Sequence, residues 1–205
     1  HVLVYDKLTY AGNPENIRDL QGEPRFIFVQ GDIADAEKVE GTIREFGVDY
    51  IVNFAAETHV DRSIMDPGSF IQTNMLGVYT LLEATRKLGV ERILHVSTDE
   101  VYGAVPEGSS TEGDVLQPRS PYSASKASGD LMCHAYFVTH GVHVMVTRGS
   151  NTYGPRQYPE KILPHFITNA TEEKPPAGHG GVQQVLAGRY VAGHCRGSDL
   201  ALPPG

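Results

Sequence analysis

The sequence contains no tryptophan and only two cysteines, Cys133 and Cys195. Two thiols cannot staple a disulfide scaffold; they suit a reducing compartment, and the cytoplasm is the expected location. Positive charge is also scarce, with 17 Lys and Arg against 25 Asp and Glu for a net charge of −8. That balance argues against a nucleic-acid or anionic-membrane surface, although a local anion site built from backbone donors would not register in the sum. No apolar run approaches the roughly 20 residues needed to cross a bilayer, and no signal peptide is visible. A G-x-S-x-G elbow is absent, as is a Cys/His pair with the spacing of a thiol nucleophile and its base. Among nine histidines the nearest group is His134, His140 and His143. It straddles an expected helix end without a carboxylate or thiolate partner, so no metal site is expected. An initiator Met and a closing element are lacking too. The chain opens within an apparent strand, His1-Val2-Leu3-Val4-Tyr5-Asp6, and stops at Leu202-Pro203-Pro204-Gly205. The expectation is an internal piece of a longer protein.

What is present is a globular profile, 40% hydrophobic and 20% charged over 205 residues, enough for a full core. Short apolar runs alternate with helical patterns, the mark of βαβ units and a parallel sheet. Strands are expected at Val2 to Tyr5, Arg25 to Val29, Tyr50 to Phe54, Arg92 to Val96 and Val142 to Thr147. Between Asp35 and Gly47 the spacing of Val39, Ile43 and Phe46 predicts a helix with one buried stripe. Phe70 to Leu88 reads as a longer helix, and Pro121 opens another that runs to about His140. A further helix is expected within Pro159 to Thr171. Gly12-Asn13-Pro14 reads as a turn. Polar residues gather just after the strand ends, where doubly wound sheets bind their ligands. The fold class is therefore α/β, a Rossmann-like doubly wound parallel sheet.

Three constellations carry chemistry. Asp6, at an early strand end, can accept two hydrogen bonds from a ribose diol or serve as a turn residue. Thr98-Asp99-Glu100 closes an apolar strand with a hydroxyl and two adjacent carboxylates. On an extended segment the two carboxylates would point to opposite sides, ready for different roles; a solvated acidic turn is the plain alternative. Tyr122-Ser123-Ala124-Ser125-Lys126 places a phenol and an ammonium on one helix face. Such a pair arises by chance, but here it follows the Thr-Asp-Glu strand end. An ammonium one turn away favours the phenolate, converting a group with a pKa near 10 into a usable base.

These residues resemble, in order and spacing, the dTDP-glucose 4,6-dehydratases, of the extended short-chain dehydrogenase/reductase family. The likeness rests on Asp6 to Asn13, Gly31-Asp32-Ile33, Ala55 to Ser63, Ser97 to Gly103, Tyr122 to Lys126 and Ser150 to Pro155, and it covers His1 to about Asn169. Within the family, epimerases typically carry small hydroxyl residues where Asp99 and Glu100 stand. The GDP-mannose dehydratases keep the Glu and usually place Ser before it. The phosphate-binding glycine loop and first strand of the family precede the start of this sequence. Thr152 replaces a usual Asn, and beyond Glu172 the likeness decays.

The resemblance implies a tightly held NAD and a nucleotide-sugar substrate, with no nucleic-acid or membrane partner. It implies catalytic roles for Thr98, Asp99, Glu100, Tyr122 and Lys126. Cofactor contacts are implied for Asp6, Lys7, Leu8, Thr9, Asp32, Ile33, Phe54, Ala55, Ala56, Thr58, Thr73, Tyr122, Lys126 and Thr152. Substrate contacts are implied for Thr58, Thr98, Asn151, Lys161 and Ile162. The reaction would oxidise C4 of the sugar, eliminate water across C5–C6 and reduce C6; Asp99 would have to stay protonated, held so by burial and the neighbouring carboxylate. A homodimer through the Phe70 to Leu88 and Tyr122 to His140 helices is a family expectation. Residues 1–155 are then an incomplete NAD-binding domain, and 156–205 the start of a smaller substrate domain, divergent or disordered. A related epimerase or decarboxylase is the alternative enzyme; a fragment that binds without catalysis is the alternative from another class.

Overall fold

A computed structural model describes residues 1–174 and 188–191. The expectation of a divergent or disordered tail falls mostly outside the described residues. The chain forms two compact units, His1–Gly149 and Ser150–Gly205.

In the first unit every strand pairing is parallel. Strand β1 (Val2–Asp6) pairs with β2 (Phe26–Gln30), and β3 (Tyr50–Asn53), β4 (Arg92–Thr98) and β5 (Val144–Gly149) form a second sheet in that order. Helix α1 (Ala36–Phe46) starts on an Asp35 side-chain cap and stops at Gly47, whose φ of 59° is the left-handed region glycine enters without strain. Helix α2 is Val60–Met65 and α3 is Pro67–Phe70. A π-helical stretch, Ile71–Gly77, then leads into α4 (Val78–Leu88). Helix α5 (Pro121–His140) begins at a reciprocal Ser120–Ser123 capping box and ends at Gly141. The core joins Val39 and Ile43 of α1, Val78, Leu81 and Leu82 of α4, Ile93 of β4 and Cys133 and Tyr136 of α5. In the second unit β6 (Asn151–Tyr153) pairs in parallel with β7 (Gly188–Tyr190), and α6 spans Ile162–Thr171.

The α/β class and parallel pairing agree with the sequence reading; several details are corrected. The single helix over Phe70 to Leu88 is a composite that widens into π turns. Within it, at Gly77, a Cβ would run into the Ile33 side chain, so a glycine lets the helix approach the loop that follows β2. Short elements that were not expected are the 3-10 turn Pro14–Leu20, α2, α3 and the strands β6 and β7. All are shorter than the window over which apolar periodicity is readable. Asn13 caps that 3-10 turn by accepting from Glu15 N at 3.0 Å. Strand β4 extends past Val96 because its ladder with β5 continues to the pair Thr98 and Gly149. β5 starts at Val144 and not Val142, and α6 starts at Ile162. Asp99 and Glu100 are not extended: they lie on a 3-10 turn, Asp99–Tyr102.

Candidate active site

The segments that follow the carboxyl ends of β1, β2 and β3 line a cleft of about 220 Å³. Asp6 closes β1, and its Oδ1 accepts from the Leu8 amide at 2.7 Å. That tight turn places Leu8 at φ 53°, a conformation non-glycine residues seldom adopt. Lys7 Nζ reaches across to Asp32 at 2.7 Å, while the Asp32 Oδ1 accepts from Ala34 N at 2.9 Å. Burial pushes the Asp32 carboxyl up, but the Lys7 hydrogen bond and the Ala34 amide outweigh it and hold it below the usual range. The Tyr5 hydroxyl donates to the Asp32 carbonyl at 3.2 Å, and its ring covers Gly31 so closely that a Cβ there would overlap the phenol. Ile33, Phe54, Ala55 and Ala56 give the cleft an apolar wall, and Thr9 and Thr73 complete its expected lining. A carboxylate, an ion pair and a flat apolar wall suit a ribose and a planar base.

The second centre lies at the end of β4. Thr98 is buried, and its hydroxyl accepts from Glu100 N at 3.2 Å, which turns the chain into the 3-10 segment. The same hydroxyl donates to Asp99 Oδ1 at 3.3 Å and stands near enough to the Tyr122 phenol to favour its anion. Asp99 is held above the ordinary carboxylate range by burial. The expected contribution from the neighbouring carboxylate does not appear among the causes. Tyr122 and Lys126 do share one buried face of α5. Burial, then the Glu100 and Asp99 charges, push the phenol up to about 12. The expected net lowering by Lys126 is thus not found, because desolvating a phenolate beside anions costs more than the Thr98 hydroxyl returns. Lys126 is itself lowered to about 8 by burial, against the opposing charges of Asp130 and Cys133.

The structure thus gathers Thr98, Asp99, Glu100, Tyr122 and Lys126 at one centre. Around the cleft it gathers Asp6, Lys7, Thr9, Asp32, Ile33, Phe54, Ala55, Ala56 and Thr73. Leu8 and Thr58 are outside that lining; Leu8 contributes the turn beside it. Asn151, Thr152, Lys161 and Ile162 belong to the second unit. Thr152 accepts from Gln157 Nε2 through its carbonyl at 3.1 Å, and Lys161 stands at the N-terminus of α6.

Sequence reasoning missed Asn74. It sits fully buried in the π stretch, where its Oδ1 accepts from Glu57 N at 2.8 Å. Its Nδ2 donates to Glu57 O at 2.9 Å and to Ser125 Oγ at 2.9 Å. One side chain thereby fastens the cleft loop after β3 to the helix bearing Tyr122 and Lys126. The available signal was its place on an apolar face, with Phe70 four residues before and Val78 four after. Among the described residues no group of three or more His, Cys, Asp or Glu is placed to hold a metal, and no helix is long and apolar enough to cross a membrane.

A parallel α/β nucleotide-binding unit, with a buried Tyr-x-x-x-Lys pair facing a Thr-Asp-Glu turn, defines the class as a short-chain dehydrogenase/reductase-type domain. More narrowly, the chain belongs to the GDP-mannose 4,6 dehydratase family, whose model matches residues 1–204. It is 50% identical over 204 residues to a dTDP-glucose 4,6-dehydratase of Streptomyces antibioticus and 47% identical to one of Actinoplanes. These alignments cover all of this chain but 59% and 63% of the relatives, so the chain spans about three fifths of their length. A crystal structure of the dTDP-glucose 4,6-dehydratase DesIV from Streptomyces venezuelae, with NAD and TYD bound, matches with a TM-score of 0.92 at 48% identity. That match covers 98% of this chain and 62% of the other. A UDP-glucuronic acid 4-epimerase from Bacillus cereus, with UDP-glucuronic acid and NAD, gives a TM-score of 0.91 at 28% identity, covering 100% of this chain and 65% of the other.

Proposed function

We propose that this chain carries the catalytic core of an NAD-dependent dTDP-glucose 4,6-dehydratase. The observation that carries the reading is the Thr98-Asp99-Glu100 turn set against the Tyr122 phenol. An enzyme that only inverts C4 needs a Tyr/Lys pair; an acid whose proton is favoured, beside a second carboxylate, is what elimination adds. NAD, when bound, accepts hydride from C4 and later returns it at C6. The cleft at the ends of β1 to β3 fits its adenosine half, with Asp6, Lys7, Asp32 and the Ile33–Phe54 wall as the holding groups.

Tyr122 takes the proton of the C4 hydroxyl, and Thr98 holds that oxygen; because burial and the two carboxylates put the phenol at about 12 in the chain alone, this step needs the cationic nicotinamide of NAD, when bound, to favour the phenolate. Lys126 supplies the nearby positive charge. The 4-ketone acidifies the C5 hydrogen, which Glu100 removes. Asp99, whose carboxyl is raised above its ordinary range by partial desolvation, gives its proton to the C6 hydroxyl, which leaves as water. Glu100 then returns its proton to C5, and the product is a 4-keto-6-deoxy sugar. Residues 1–155 act as the NAD-binding domain and 156–205 begin the sugar-nucleotide domain; Lys161 and Ile162 of the latter contact substrate together with Asn151. A homodimer in the cytoplasm completes the reading; exposed Met75, Leu76 and Tyr79 along the α4 side and Leu131, Phe137 and Val138 on α5 support an apolar contact between two copies.

The test is incubation of the complete encoded protein with dTDP-glucose, following the alkali-absorbing 4-keto product. Turnover that keeps the C6 oxygen would place the protein with the epimerases. No nicotinamide absorbance and no NAD binding would leave a binding domain without catalysis.

A further inference from the structure

Helix α5 continues its buried face one turn past Lys126 to Asp130, which is almost completely buried. A carboxylate there must be compensated. The Asp130 Oδ2 accepts from Arg148 Nε at 2.7 Å, and the Arg148 Nη1 donates to the Tyr102 hydroxyl at 2.8 Å. The guanidinium also sits 5.2 Å from the centre of the Tyr102 ring. Arg148 belongs to β5, and Tyr102 is the last residue of the 3-10 turn that carries Asp99 and Glu100. One planar cation therefore ties the Tyr122–Lys126 helix to the turn of the two carboxylates.

Of the other groups near Asp130, the buried Lys126 ammonium also favours its anion, but it sits on the same helix and so does not tie α5 to the turn. His95 Nε2 lies 3.8 Å from Asp130 Oδ1, but burial lowers His95 to about 3, so the contact is not an ion pair. Ser97 favours the Asp130 anion from a distance beyond a well-formed hydrogen bond. The turn needs an external brace because it is only four residues long and 3-10 geometry holds poorly by itself.

Resting on the reading given above, we propose that Arg148 is a positioning residue: by bridging Asp130 to Tyr102 it sets the Asp99–Glu100 turn in register with Tyr122 and Lys126. It touches neither substrate nor cofactor in this role. The bridge uses two nitrogens of one fork, so lysine, a single point donor, cannot replace it.

The experiment compares wild type with Arg148→Lys and Tyr102→Phe in the complete encoded protein, loaded with NAD and given dTDP-glucose. Nicotinamide reduction, dehydrated product, KM and melting temperature are all read. Misplacing a reacting group by about 1 Å can cost about a hundredfold. The expected result is a ten- to hundredfold fall in dehydration for Arg148→Lys, with initial nicotinamide reduction within about threefold of wild type and KM little changed. Tyr102→Phe, which keeps the ring and loses only the hydroxyl, should show the same partition more weakly. Equal losses in both steps, or unchanged dehydration in both variants, would overturn the positioning role. Wild type that reduces nicotinamide without dehydrating refutes the functional reading itself, and the inference falls with it.

Discussion

Lys126 Nζ donates a 2.7 Å hydrogen bond to the carbonyl of Val96, so the ammonium of α5 is anchored to the strand that ends in Thr98. The bond fixes the lysine below the Tyr122 centre, but at the cost of burying a charge. Two consequences can be measured.

The first concerns Lys126→Met. In the wild type, burial lowers Lys126 from its ordinary 10.5 to about 8, so the folded protein binds fewer protons than the unfolded chain between those limits. Stability attributable to this group is least below pH 8 and rises as pH climbs toward 10.5, by about 3 kcal/mol in all. Urea unfolding across that window should show the rise in wild type and not in Lys126→Met. In the same variant nicotinamide reduction by dTDP-glucose should fall at least about a hundredfold, the usual scale for losing acid–base assistance. Retained reduction would remove Lys126 from the oxidation pair.

The second concerns the acid turn. Glu100→Gln keeps the shape of the side chain and removes the base. Dehydration should fall by about a hundred- to ten-thousandfold, while reduced nicotinamide still forms, because Tyr122 and Lys126 remain. Normal dehydration by this variant would show that another group removes the C5 proton.

How far the sequence could be read depends on the range of the interaction involved. The five strands, the i,i+4 pair Tyr122 and Lys126, and the Gly47 and Gly141 helix stops are local patterns and all are found, the strand ends displaced by one or two residues. The rim residues Asp6, Asp32 and Phe54 were legible through family spacing. The bent turn at Asp99–Tyr102 was not. It is selected by the Thr98 hydroxyl, by Gly103 at φ 81° and by close approach of Gly103 to the Gln117 carbonyl, fourteen residues on. Arg148 was equally hidden, since a charged residue in an apolar strand announces burial of something without naming Asp130 or Tyr102 as its partners. In the π stretch Gly77 meets Ile33 and Asn74 makes three bonds, all of them tertiary.

Asn74→Ala should therefore act on both centres together. The substitution orphans the Glu57 amide and carbonyl and a Ser125 hydroxyl acceptor in a buried setting, at about 1–3 kcal/mol for each group that water cannot reach. A loss of about 3 kcal/mol in unfolding free energy is expected, together with weaker NAD binding, since Glu57 lines the cofactor cleft. Calorimetric titration with NAD, run below the variant's melting temperature, separates the two effects. Destabilisation with unaltered NAD affinity would mean that Asn74 is structural alone.

The last prediction concerns acid. His95 is buried on β4, its Nδ1 lies 3.1 Å from Asn53 Nδ2, and Asn53 can only donate through that nitrogen. Nδ1 is then the acceptor, and the neutral ring carries its proton on Nε2, toward Asp130. Burial first, and the Lys126 charge second, lower His95 from 6.5 to about 3. The folded state therefore binds fewer protons than the unfolded chain between those values, and stability falls as pH drops from 6.5. Between pH 6.5 and 5 the loss from this residue is about 2 kcal/mol. Most carboxylates stay ionised over that interval, so the window isolates histidine from general acid unfolding. His95→Gln offers Asn53 an acceptor without a titrating ring; it should be less stable at pH 7 but show a flatter profile from pH 6.5 to 5. Parallel profiles for the two proteins would show that His95 becomes charged inside the fold, with Asp130 as its counter-ion.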